Sequence, residues 1–169
     1  MILAPGIGIR SVERNEKFLK RRENEVEVLH EFMYSIDNFL SENECKSWIN
    51  YGNQTGFEHS NQPATRYTAL RQHDRIQIDS KSTADALFTR LLPSLPPVID
   101  GLVASGCSSN IRLYRYKKGH SFGPHIDESH TMSDGLTKFT ILIYLNSSSG
   151  HEETLTSTIS DSSKASRCL

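Results

Sequence analysis

The clearest pattern in the chain is an alternation near its C-terminal end. Residues 139–146 read FTILIYLN, β-branched or aromatic at most positions, and predict a strand. Phe139, Ile141, Ile143 and Leu145 share one face, and Thr140, Leu142, Tyr144 and Asn146 the other. NIRLYRYK at 110–117 alternates in the same way, with Lys118-Gly119 as a turn after it, and Arg75 to Asp79 is a shorter strand. Two helices are expected. Ser41 with Glu44 forms a capping box ahead of Cys45, Trp48 and Ile49, with Gly52 as a stop. Ser82 with Asp85 opens the second, whose stripe is Ala84, Leu87, Phe88, Leu91 and Leu92, ended by Pro93, Pro96 and Pro97. Residues 26–36 fit strand alternation and helical spacing equally, and residues 101–110 fit either a loop or a short helix.

Composition narrows the class. The chain has 169 residues, which suits one domain, and a net charge of −1 from 19 basic and 20 acidic residues. That balance disfavours a nucleic-acid binder driven by bulk charge, although six of the residues in 10–22 are basic. The sequence holds no apolar run long enough to span a membrane. Three widely spaced cysteines, Cys45, Cys107 and Cys168, suggest no disulfide framework and point to an intracellular setting, cytoplasmic or nuclear. Residues 1–25 are expected to be a mobile N-terminal segment. In 146–169, 11 of 24 residues are Ser or Thr, so 147–169 is expected to be a disordered tail.

One pair of side chains carries chemistry. His125-Ile126-Asp127 places an imidazole and a carboxylate two residues apart, on one face if the segment is extended. That is two thirds of the 2-His-1-carboxylate triad that holds Fe(II) and leaves positions open for oxygen chemistry. In order along the chain stand Arg115-Tyr116 with Gly119, Phe122-Gly123-Pro124-His125-Ile126-Asp127, Asp134-Gly135, and the strand Thr140 to Asn146. This succession resembles the iron- and 2-oxoglutarate-dependent dioxygenase family in its prolyl-4-hydroxylase-like branch, over roughly residues 30–146. The resemblance implies an α+β domain at 26–146 built as a double-stranded β-helix, or jelly-roll, with helices packed on one sheet. It also implies Fe(II), 2-oxoglutarate and ascorbate as cofactors, with His125 and Asp127 as metal ligands. Tyr144 would offer its hydroxyl to the cosubstrate carboxylate, and Tyr116 would line the same pocket.

The family also uses a histidine on a later strand and a basic residue after it. Here Gly150-His151-Glu152-Glu153-Thr154 stands at the corresponding place, followed by Ser/Thr-rich sequence. The expectation is a partial domain with its C-terminal strands missing and its activity impaired. The alternative is a non-catalytic protein-interaction module that keeps a remnant metal pair. A protein or peptide substrate is the partner class retained, and peptidyl proline, another side chain and a nucleobase all stay open.

Overall fold

The computed structural model describes residues 1–4, 6–11, 26–30, 33–66, 68–98, 102–125, 129, 131–132, 135–146 and 156–161. Its strands are β1 (Ile2–Ala4), β2 (Gly6–Ser11), β3 (Val26–His30), β4 (Met33–Asp37), β5 (Glu58–Gln62), β6 (Arg71–Asp79), β7 (Leu102–Cys107), β8 (Asn110–Arg115), β9 (Thr131–Met132), β10 (Gly135–Tyr144) and β11 (Thr156–Asp161). Two α-helices, α1 (Glu42–Thr55) and α2 (Lys81–Leu91), complete a mixed α+β architecture. All strand pairs are antiparallel, and the main path runs β3-β4-β11-β10-β1-β8-β6-β5. The path has two ends, so this is an open sheet and not the closed roll that the resemblance implied.

Residues expected to lie outside the folded part contribute strands. Ile2–Ala4 sits between β8 and β10, with Leu3 opposite both Leu113 and Ile143 and wholly buried. Apolar Ile2 and Leu3 gain more from a slot between two hydrophobic strands than they lose in chain entropy. Thr156–Asp161 pairs with β10 on one side and β4 on the other, its Thr and Ser residues suiting a strand through β-branching at Thr156 and Thr158. Residues 12–25, 147–155 and 162–169, and with them much of the expected mobile segment and tail, lie outside the described residues.

The helices follow their caps. Ser41 accepts from the Glu44 amide while Glu44 returns a bond to the Ser41 amide, the reciprocal box read from sequence. Gly52 does not end α1. The helix continues to Thr55 and closes on Gly56, whose φ of 86° favours glycine. Gly52 is instead a contact residue: a Cβ there would lie 2.7 Å from Leu113 Cδ2 and 2.8 Å from Phe57 Cζ. The cap of α2 is Ser80, not Ser82, with its hydroxyl accepting from the Thr83 amide. Ala84, Leu87 and Leu91 are buried, Phe88 is partly so, and Leu92 turns out to solvent in a short 3₁₀ turn at Leu92–Ser94. The 101–110 stretch yields β7, neither loop nor helix.

The core lies between the helices and one face of the sheet. It is built from Ile111 and Leu113 of β8, Ile76 of β6, Phe139, Ile141 and Ile143 of β10, and Leu40, Cys45, Leu87 and Leu91 of the helical layer. The row of β10 that carries Tyr144 therefore faces away from the helices. Phe139, Ile141, Ile143 and Leu145 are almost fully buried, whereas Tyr144 is 37% exposed. The uninterrupted apolar row won the helical cover, because burying the Thr and Tyr hydroxyls of the other row would require a partner for each.

Candidate functional site

Strand β6 carries polar side chains to both faces of the sheet. Arg71, His73 and Arg75 point to the face without helices, and Asp74, Ile76 and Ile78 to the helical face. Neighbouring β8 sorts its residues likewise, with Tyr114 on the first face and Ile111, Leu113 and Arg115 on the second, and Tyr116 follows just past its end.

On the helix-free face a cluster forms around Arg71. Its guanidinium lies 5.0 Å from the Tyr114 ring centroid and 4.3 Å from that of Phe122. Phe122 reaches this place because residues 121–123 run back alongside the start of β6, with Gln72 and Gly123 amides donating to Ser121 and Leu70 carbonyls. The Phe122 ring then stacks on His125, centroids 3.6 Å apart. His73 is wholly buried beside Tyr114 and Tyr116, at 5.0 and 6.0 Å, and neither ring nitrogen has a hydrogen-bond partner among the described residues. Burial, helped by Arg71 and Arg75, pushes its pKa down to about 4, so the ring is neutral. The Arg71 Nε is likewise buried and unpartnered among the described residues. Burial raises the pKa of Tyr116, as do the neighbouring Tyr114 and Tyr144, so its hydroxyl stays protonated.

The residues expected to form the site are thus partly assembled here. His125 is half-buried, and its Nδ1 lies 3.0 Å from the Gly123 carbonyl. A carbonyl only accepts, so Nδ1 carries a proton there. Metal-binding histidines are commonly oriented by such a bond, so the His125 donor chemistry fits a metal. Asp127 lies outside the described residues. Tyr116 joins the Arg71 cluster, and Tyr144, across β1 from Tyr114, is near enough to influence it. Arg71 and His73 were missed from sequence: an Arg-x-His alternation at a strand start looks like a solvated edge until Tyr114 and Phe122 cover it.

On the helical face, Asp74 is the centre of a second cluster. Its side chain is 4% exposed and takes Arg115 at 2.9 Å, Lys117 at 2.7 Å and His59 at 3.0 Å. The sheet dictates most of this, since His59, Asp74 and Arg115 stand directly opposite one another on β5, β6 and β8. The turn after β8 supplies the rest. The His120 amide donates to the Lys117 carbonyl, and Gly119 holds a φ of 88°, the left-handed third position of a type II turn. Lys117 and His120 are thereby folded back over Asp74 and His59. These bonds hold the Asp74 carboxyl well below the usual carboxylate range, Lys117 contributing most and then His59. His59, Asp74 and His120 each offer a ligand atom within 4.8 Å of the others, a group that could hold a metal ion. Sequence spacing gives no hint of it, because its members are 15 and 46 residues apart (74 − 59 and 120 − 74).

No protein-family model, no curated protein and no solved structure matches the chain.

Proposed function

We propose that this chain carries the metal-binding part of an iron- and 2-oxoglutarate-dependent dioxygenase domain of the prolyl-4-hydroxylase-like branch. The observation that supports it most is the setting of His125. Its proton is directed to a backbone carbonyl, its ring is clamped on Phe122, and Phe122 is in turn covered by Arg71, which also lies over Tyr114. A metal ligand, a fixed cation and phenol hydroxyls therefore share one face of the sheet. His125 and Asp127 would hold Fe(II). Tyr116 and Tyr144 would meet 2-oxoglutarate, with Arg71 balancing carboxylate charge, and ascorbate would keep the iron reduced. Bound iron and cosubstrate would supply the oxygen activation for hydroxylating a C–H bond. The chain's own part is to orient ligands and cosubstrate and to keep His73 and Tyr116 neutral beside them. The open sheet is, on this proposal, a jelly-roll lacking its closing strands.

Of the family's ligand set only His125 and Asp127 find a counterpart by sequence position, so on this proposal iron binding is weak and activity impaired. Anaerobic Fe(II) titration in a His59→Ala background, which removes the other two-imidazole, one-carboxylate group, should show weak binding that His125→Ala and Asp127→Ala each abolish, with 2-oxoglutarate decarboxylation near background. Binding unaffected by both variants would overturn the iron assignment, and brisk turnover would overturn the impairment. A non-catalytic interaction module is the alternative. The groove between α1 and α2, where Leu40, Trp48 and Leu87 lie beside Glu44, Ser82 and Arg90, favours it. Partner binding indifferent to chelator and to His125→Ala would decide for that module.

A further inference from the structure

We propose that His59, Asp74 and His120 form a second divalent-metal site, on the opposite face of β6 from the proposed iron site, suited to a borderline transition ion of the zinc class. Two imidazoles and one carboxylate are the donor set such ions take, with water completing the coordination. The three ligand atoms are already within 4.8 Å of one another, so little chain entropy remains to be lost on binding.

The two oxygens of Asp74 divide the labour. Oδ2 faces Arg115 and Lys117, while Oδ1 faces His59. A metal-bound carboxylate commonly keeps its second oxygen in a hydrogen bond, and Arg115 supplies that bond here. The ion takes the place of the proton between His59 Nδ1 and Asp74 Oδ1, and that proton moves to Nε2 of the same ring. His120 has a buried Nδ1 without a hydrogen-bond partner among the described residues, and its ring centroid is 5.4 Å from that of His59. The cost of the arrangement is the Lys117 ammonium, which repels an incoming cation. Its side chain is 57% exposed, so it is able to swing into water. Occupancy would staple the edge strand β5 to the turn that leads directly into Phe122 and His125.

The test uses the full chain carrying His125→Ala, which removes the proposed iron ligand. Zn(II) is titrated against a chromophoric chelator, with thermal unfolding followed in parallel. The expected result is one ion per chain and a higher Tm with Zn(II) than with chelator. His59→Ala and His120→Ala should each weaken binding by at least about tenfold. Lys117→Met should tighten it, which a purely structural ion-pair cluster would not do. The His59 side chain is 58% exposed, so its removal leaves the fold intact, as circular dichroism would verify. Zn(II) affinity unchanged in His59→Ala, or binding already lost in the His125→Ala parent, overturns the site.

Discussion

Removing the carboxylate of Asp74 is the most informative single perturbation of the fold. Its side chain is 4% exposed, and its three partners come from β5, β8 and the turn that follows β8. Asp74→Ala leaves Arg115 and Lys117 facing each other across an emptied position. Breaking a buried ion pair by deleting one partner costs about 3–5 kcal/mol, because the other charge is left without compensation. Lys117 and His59 are more than half exposed, so water replaces their contacts; Arg115, at 31%, is the group that suffers. The loss should therefore sit at the lower end, about 3 kcal/mol. For a chain of this length that is a fall in Tm of roughly 6–12 °C. Urea unfolding followed by circular dichroism measures it, provided the slope against urea is unchanged. The pH dependence gives a second reading. The folded carboxyl is held well below its ordinary pKa, so the stabilisation is complete above about pH 4 and is lost as acid titrates the folded group. Asp74→Asn should accordingly show a shallower loss of stability in acid than the parent. A cost under about 1 kcal/mol for Asp74→Ala, or parallel acid profiles for parent and Asp74→Asn, would refute this account.

Three further outcomes follow from the same physics. His73 is neutral in the fold with a pKa of about 4 and charges more readily when unfolded, so its contribution is present above about pH 6.5 and lost as pH falls toward 4. His73→Phe should narrow the gap between urea midpoints at neutral and mildly acidic pH, and an unchanged gap would count against the buried neutral ring. Ser41→Ala removes one half of the capping box of α1 and should cost about 1 kcal/mol by chemical unfolding. Gly119→Ala meets no neighbouring atom but forces a left-handed φ on a residue with a side chain, costing roughly 1 kcal/mol. Because that turn carries Lys117 and His120, the same variant should weaken Zn(II) binding, which a titration would detect.

Local chemistry explains which parts of the fold were legible in the sequence. Ser41 and Glu44 write their capping box three residues apart, and the alternation in β8 and β10 needs no partner to be recognised. What was hidden depended on the rest of the chain. The inner face of β10 was decided by which row the helices covered, and alternation alone is symmetric between the two. Ile2–Ala4 looked like a loose terminus because its neighbours, β8 and β10, begin more than a hundred residues later. The His125 pair was visible as a spacing, whereas His59, Asp74 and His120 meet only through the register of β5 on β6 and a glycine-dependent turn.

That register ties the two faces together. His73 and Asp74 are adjacent and both buried, one toward Tyr114 and Tyr116 and the other toward Arg115. Slipping β6 by one residue would send Asp74 among the tyrosines without a cation and His73 among the helices' apolar side chains. The first displacement strands a buried carboxylate, at roughly 1–3 kcal/mol or more, whereas His73 lacks a hydrogen-bond partner among the described residues even in the observed register. Whatever fixes Asp74 against His59 and Arg115 also fixes Arg71 and His73, which flank Gln72 on the same strand, in the cluster that meets Phe122 and His125. A stable charge cluster on the covered face is, on this reasoning, the physical precondition for an ordered polar pocket on the open one.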